Sequence, residues 1–252
     1  LISVVTPIYN AKPEHLNELV ESLINQNYAF WELCLYDDGS DNASTLNCLD
    51  KINGMDQRIR IEKDANKGMV VAYNKAVSMA SGEWIVFLDH DDKLDYCALC
   101  ELAELVSEKP KLKMVYSDED IVDVDGMHKR PSSKGAFDLK KLEKSNYINH
   151  MTAVNKALGD KLGWFKKDYE GAQDYDLLLR IAETVEKEEI AYIDRILYHW
   201  RQGMNSINLR YFDKQYVIQA GKRALEDHYN RMGRNGTVKA GEKVGTYRIV
   251  EE

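Results

Sequence analysis

Three carboxylates fall within four residues in the stretch FLDHDD, at Asp89, Asp91 and Asp92, with His90 after the first. Packed this closely they repel one another, and each needs a cation, water or hydrogen-bond donors to stay charged. Mg2+ and Mn2+ take hard oxygen ligands. Mg2+ in particular is often held by one or two carboxylates, with waters and substrate phosphates completing its shell. The i, i+2 spacing of Asp89 and Asp91 puts both on one side of an extended chain. The same residues also suit an acidic turn or a solvated strand end, and D-x-D alone does not decide among the three. A second acidic pair, Asp37–Asp38, runs into Gly39–Ser40, a turn signal. Further on, Asp174 and Asp176 open a helical stretch, where acids also suit the helix dipole.

The elements that must position these acids alternate. Segments 2–9, 31–38, 58–63 and 83–92 carry the β-branched, aromatic and apolar runs of strands. Between them, LNELVESLINQ places Leu16, Leu19, Val20, Leu23 and Ile24 on one helical face. Residues 44–52, 68–80 and 94–106 also read as helices. This order predicts an α/β fold with a mostly parallel central sheet flanked by helices. In such sheets the ligand crevice lies at the carboxyl ends of the strands. Asp37–Asp38 and Asp89–Asp91 then share one rim. The second half is less regular. A strand is expected over 113–126 with a turn at Asp125–Gly126, a loop over 129–150, a helix over 175–185 and a strand over 188–201. A long helix follows from Asp213 to Met232, and then a hairpin or linker marked by Gly236, Gly241 and Gly245.

With 252 residues, 44% hydrophobic content and 30% charge, the chain has the composition of a soluble globular protein able to bury a substantial core. A net charge of −8 argues against a nucleic-acid backbone as partner. No apolar run approaches the roughly 20 residues of a membrane span. No secretory leader is visible, and the chain opens at Leu1 already inside a strand pattern, as expected for one domain of a longer protein. Cys97-x-x-Cys100 lies in a helical pattern and lacks the second pair that a four-ligand zinc site needs. With Cys34 and Cys48 it is expected to form buried, reduced thiols of a cytosolic protein. Walker-type, dinucleotide-binding and nucleophile-elbow motifs are absent, which leaves a carboxylate-held cation as the route to phosphate binding.

VVTPIYN, YDDGSDN, NKG at 66–68, FLDHDD, GAQDYDLLLR at 171–180 and LYHWR at 197–201 occur in that order. Together they resemble the family-2 glycosyltransferases of GT-A fold. YSDED at 116–120, SNYINH at 145–150 and YEGAQDYDLLLR narrow the likeness to bacterial polysaccharide and O-antigen enzymes, often one domain of a multidomain chain. The resemblance covers about residues 1–210. It implies a nucleotide-sugar-binding half (1–110), an acceptor and catalytic half (111–210), and a C-terminal helix with linker or tail (211–252).

The resemblance also implies roles. The donor is a nucleotide diphosphate sugar, UDP-sugar above others, and the acceptor a glycan or lipid-linked glycan. Pro7 and Tyr9 match the base pocket, and Asp38 the residue that accepts a hydrogen bond from the base. Asn66, Lys67 and Gly68 match a loop near base and donor sugar, with Lys67 in reach of a phosphate. Asp89 and His90 match positions near ribose and donor sugar. Asp91 matches the direct ligand of Mn2+ or Mg2+, His199 a third ligand, and Arg201 a phosphate partner. Asp174 matches the catalytic base of an inverting transfer, preceded by Gln173 where the broad family usually has Glu. The implied location is cytoplasmic, free or peripheral at the inner face of the cell membrane.

Plainer readings accompany these. Asp37–Asp38 suits turn chemistry, Asp174 a helix cap, and His199 a half-buried structural histidine. Tyr198 and Trp200 suit core or wall. Asp118, Glu119 and Asp120 suit either a sugar-binding border or a solvated strand end, and His150 an acceptor contact. Two other functions share some of the features. A sugar-nucleotide nucleotidyltransferase needs a Gly-rich basic stretch after the first strand, and TPIYNAKPEHL has no glycine. A domain that binds nucleotide sugar or glycan without turnover has no need of both D-x-D and Asp174.

Overall fold

In a computed structural model, which describes residues 1–123, 125–201, 215–234, 236–243 and 245–250, the strands build one nine-stranded sheet and a separate two-stranded hairpin. The sheet begins with β1 (Ile2–Ile8), β2 (Trp31–Asp37), β3 (Ile59–Lys63) and β4 (Trp84–Phe87). β1 sits between β2 and β4, parallel to both, and β3 extends the parallel set beyond β2. Helices α1 (Pro13–Ile24), α2 (Ala43–Ile52) and α3 (Met69–Met79) make the crossovers. The strand order reverses at β1, so a crevice opens over the carboxyl ends of β1, β2 and β4.

Beyond β4 the sheet is mixed. β8 (Thr152–Asn155) runs antiparallel to both β4 and β6 (Met114–Val122). β9 (Ile190–Arg201) runs parallel to β6. Two short strands complete it, β5 (Lys93–Leu94) against β9 and β7 (His128–Ser132) against β6.

Period-two alternation divides the core. Val4, Leu33, Leu35, Val86 and Val115 face α1, α2 and α4 (Ala98–Glu108). Val5, Cys34, Tyr36, Ile85 and Met114 face the other side. There they pack with α3, α5 (Leu139–Leu142), α6 (Lys156–Leu162), α7 (Gln173–Thr184) and α8 (Gln215–Arg231). Ala220, Ala224 and Leu225 of α8 are fully buried in this second core, with Val238 of β10 (Thr237–Ala240) and Tyr247 of β11 (Tyr247–Val250). The GT-A architecture expected from the motifs is therefore present, with helices covering both faces of the sheet.

Several boundaries differ from the sequence reading, each for a local reason. The fourth strand stops at Phe87, because the chain turns at Asp89–Asp92, closed by the Asp92 N–H donating to the Asp89 carbonyl at 3.1 Å. The following helix starts at Ala98, since Lys93 and Leu94 pair with His199 and Tyr198 of β9. Segment 129–150, expected as loop, contains most of β7 and all of α5. Asp138 caps α5 by accepting the N–H groups of Lys140 and Lys141. Cys34 and Cys48 are buried, whereas Cys97 and Cys100 are half-buried. The helix read from Asp213 is described from Gln215 onward, Asp213 itself lying outside the described residues.

Candidate active site

The loops beyond β1, β2 and β3 are tied together by Asp38, which the sequence resemblance assigns to the base, and by Asp37 and Asn10. Asp38 is 3% exposed, and its carboxylate accepts the backbone N–H groups of Lys67 at 2.8 Å and Gly68 at 2.9 Å. Asp37 accepts the N–H of Ser40 at 3.1 Å, the turn role expected of it. Asn10, in the left-handed region at φ 49°, accepts the N–H groups of Asp41 and Asn42. Gly39 is required where these loops meet. Its φ is +75°, and a Cβ there would lie 2.5 Å from the Asn66 nitrogen.

Beneath the D-x-D turn a second network holds the chain. Asp92 is 1% exposed and accepts the Tyr198 hydroxyl at 2.6 Å and the Arg201 N–H at 2.7 Å. Burial first, and the neighbouring Asp89 charge next, push the Asp92 carboxyl well above the usual carboxylate range. Arg201 donates through Nε to the Asp91 carbonyl at 2.8 Å and pairs with Glu18. Asp89 accepts a short hydrogen bond from the Tyr73 hydroxyl and lies 3.8 Å from His150 Nε2. Among the described residues, no side chain donates to the Asp91 carboxylate.

His150 carries more of the site than the sequence suggested. Its ring stacks on Tyr198 at 4.5 Å, and its Nδ1 lies 3.1 Å from Glu119 Oε2. Burial opposes its charge, but the Glu119 hydrogen bond and the Asp89 and Glu119 carboxylates prevail and raise its pKa to about 9. The SDED acids of β6 are paired and not a solvated strand end, Asp118 and Asp120 being buried and Glu119 half-buried. Asp118 accepts the Lys134 N–H and the Tyr192 hydroxyl, each at 2.8 Å. Glu119 faces His150 and the buried Lys134, and Asp120 faces two histidines.

On the far wall, Asp174 occupies the first turn of α7. Its Oδ2 accepts the Asn146 side-chain N–H at 2.8 Å. Burial raises its pKa, while the N–H groups of Tyr175 and of Asp174 itself pull the other way. Two residues on, Asp176 is fully buried and bonded to Arg180 at 2.7 Å, and Arg180 in turn binds the carbonyls of Leu162 and Trp164. Asp176 is thereby a structural acid.

These walls enclose a cavity of about 500 Å3. Pro7, Tyr9, Asp38, Asn66, Gly68, Asp89, His90, Asp91 and Asp174 all line it, together with Asn149, His150 and Thr152. Lys67, His199 and Arg201 are not among the lining residues. Lys67 turns its half-exposed ammonium to Asp64, Arg201 lies behind the turn, and His199 sits against Asp120. His150, Asn146 and Asn149 are the site residues the sequence reading weighted least. The SNYINH motif was their signal, but it lies in a segment without helix or strand periodicity.

The cavity lies over the strand ends of an α/β sheet of GT-A type, rimmed by D-x-D and faced by an acid on a helix. The chain belongs to glycosyl transferase family 2, whose family model matches residues 3–163. It is 31% identical over 239 residues to the O-antigen biosynthesis protein RfbC of Myxococcus xanthus, a match covering 94% of this chain and 19% of RfbC. Among solved structures, S. aureus TarS 1-349 in complex with UDP superposes with a TM-score of 0.67 at 18% identity, over 91% of this chain and 72% of that one. The mannosyltransferase PcManGT from Pyrobaculum calidifontis, in complex with GDP-Man and Mn2+, superposes with a TM-score of 0.64 at 18% identity, over 94% and 65%. The chain spans about a fifth to a quarter of the length of the curated relatives it matches first. Among the described residues, no helix is long and apolar enough to cross a membrane.

Proposed function

We propose that this chain is the catalytic domain of an inverting glycosyltransferase acting at the cytoplasmic face of the membrane. It moves a sugar from a nucleotide diphosphate donor, a UDP-sugar, to a glycan or lipid-linked glycan in surface-polysaccharide assembly. The observation that carries this reading is the placement of Asp91 and Asp174 on the walls of one cavity. The bound UDP and GDP-Man of the two structural neighbours support a nucleotide-linked donor, and RfbC supports the polysaccharide setting.

The base-side pocket is Pro7, Tyr9 and the Asn66–Gly68 loop. Tyr9 is half exposed, as a ring awaiting a stacking partner would be. Asp38 keeps lone pairs for a base N–H while its two oxygens anchor the loop. Asp89 and His90 border ribose and donor sugar. Lys67 reaches a phosphate by leaving Asp64. Arg201 serves by clamping the turn that presents Asp91.

A hard divalent cation, Mn2+ or Mg2+, fits the rim: Asp91 offers an uncommitted carboxylate into the cavity, and such an ion would neutralise the diphosphate as a Lewis acid. In Asp89, Asp92 and His150, which also bring ligand-type atoms within 4.8 Å, the Asp92 carboxylate is already filled by Tyr198 and Arg201. Asp174 takes the acceptor's proton as its hydroxyl oxygen attacks the anomeric carbon. Asn146 and the backbone N–H groups of the first turn orient the carboxylate, and the raised pKa makes it a stronger base. Attack from the face opposite the diphosphate inverts the anomeric centre without a covalent enzyme intermediate.

The test is a thermal-shift series with UDP-, dTDP- and GDP-sugars, with and without Mn2+. A donor at 100 times its Kd stabilises by about 2.7 kcal/mol. A UDP-sugar with Mn2+ is expected to give the largest rise in Tm. No rise with any donor in the presence of metal would contradict the reading.

A further inference from the structure

We propose a second divalent-cation site, of the zinc class, formed by Asp120, His128 and His199 and separate from the Asp91 rim. It goes beyond the transferase reading and does not depend on it. The three residues converge where β7 folds back on β6 and β9 runs alongside. Asp120 and His199 are direct register partners across β6 and β9. Asp120 Oδ1 lies 2.7 Å from His199 Nδ1, and its Oδ2 lies 2.8 Å from His128 Nδ1. The two imidazole rings stand 4.6 Å apart at 86°, and one ligand atom from each of the three residues lies within 4.8 Å of the others.

Two imidazole nitrogens and a carboxylate oxygen are a donor set that zinc accepts, with a fourth position left to water or a further ligand. Both Nδ1 atoms are hydrogen-bonded to Asp120 here, and tetrahedral ligand atoms at bonds of about 2.0–2.2 Å stand about 3.4 Å apart, so an ion would replace the two ring protons and open those contacts by about 0.6–0.7 Å. The outer shell also agrees. His199 Nε2 points to Asp95 Oδ2 at 3.6 Å, beyond hydrogen-bond length, on the side where a metal-bound imidazole carries its remaining N–H toward a carboxylate. Charge points the same way. Asp120 is 6% exposed, and among the described residues no lysine or arginine pairs with its carboxylate, whose charge a cation would neutralise. The His128 side chain, 48% exposed, opens the cluster to solvent and gives an ion a path in.

None of the three residues lines the cavity that Asp91 faces. A cation here would fix β9 two residues before Arg201, whose N–H and guanidinium hold the D-x-D turn. His199 would then bind metal, as the sequence resemblance implies, but at a different ion.

The experiment is a Co2+ titration of the metal-stripped chain without donor, read by the intense visible absorption of four-coordinate Co2+ and by its displacement with Zn2+. Wild type and Asp91→Ala are expected to bind one Co2+ with that absorption. His128→Ala, an exposed position, and Asp120→Asn are expected to weaken binding by at least the roughly 10–100-fold that loss of an outer-shell partner costs. Circular dichroism on the metal-free variants checks that each remains folded. No such absorption in wild type would overturn the proposal. So would its loss in Asp91→Ala with retention in His128→Ala, which would assign His199 to the donor cation.

Discussion

The Tyr198 hydroxyl of β9 donates to the buried Asp92 carboxylate at 2.6 Å, joining the last strand of the sheet to the end of the D-x-D turn. Two elements more than 100 residues apart in sequence thus set one loop. The same hydroxyl oxygen accepts the Asp89 N–H at 3.2 Å, and the same ring supports His150.

Tyr198→Phe therefore removes a hydrogen bond to a fully enclosed acid and leaves the Asp89 N–H without its acceptor. A buried polar group left unsatisfied costs about 1–3 kcal/mol. Denaturant unfolding of the variant is expected to show a loss in that range, accompanied by weaker donor binding. Unchanged stability and binding would remove Tyr198 from its supporting role.

His150 makes stability depend on pH in a defined direction. Its folded pKa, about 9, lies above the unfolded value near 6.5, so its contribution is complete below about pH 6.5 and is lost as pH rises through about 9. The upper bound is about 3 kcal/mol, reduced by the ring's partial exposure. Unfolding measured from pH 6 to 10 is expected to fall more steeply in wild type than in His150→Gln. Parallel curves would show that His150 carries no such charge.

Asp38→Ala cuts both ties to the Lys67–Gly68 backbone. Hydrogen bonds to charged groups are worth about 1.5–3 kcal/mol each, so the loop should loosen. The expected kinetic result is a donor KM raised about tenfold or more with a smaller change in kcat. Gly39→Ala should produce the same phenotype from the other side of the contact, by displacing Asn66.

Much of this was legible in the sequence where periodicity and spacing are strong. Strand and helix alternation placed Asp38, Asp89 and Asp91 on one rim, and the motif order identified the family. Readings failed where a residue's neighbour lies far off in sequence. Nothing local says that Lys93 and Leu94 pair with β9, so the local pattern starts the helix four residues before Ala98. Similarly, Asp118 and Asp120 look solvated until β7 and β9 supply Lys134, Tyr192, His128 and His199. Arg201 and His199 were legible as functional types, but their direction depends on the register of β9.

Asp91→Ala separates the rim from the scaffold. Because no described side chain donates to its carboxylate, the variant is expected to unfold within about 0.5 kcal/mol of wild type, as surface changes generally do. The Mn2+-dependent part of the donor's thermal shift should vanish. A variant that keeps that metal-dependent shift would place the cation elsewhere.

The central claim is that Asp174 is the base of the transfer, and Asp174→Asn tests it most directly. The amide keeps the size and the Asn146 contact but cannot take a proton. Donor binding, measured by calorimetry with a UDP-sugar and Mn2+, is expected to stay within about threefold of wild type. Transfer to acceptor should fall by about 10²–10⁴-fold, the range of general-base catalysis. Transfer at the wild-type rate by a folded, donor-binding Asp174→Asn enzyme would contradict the account.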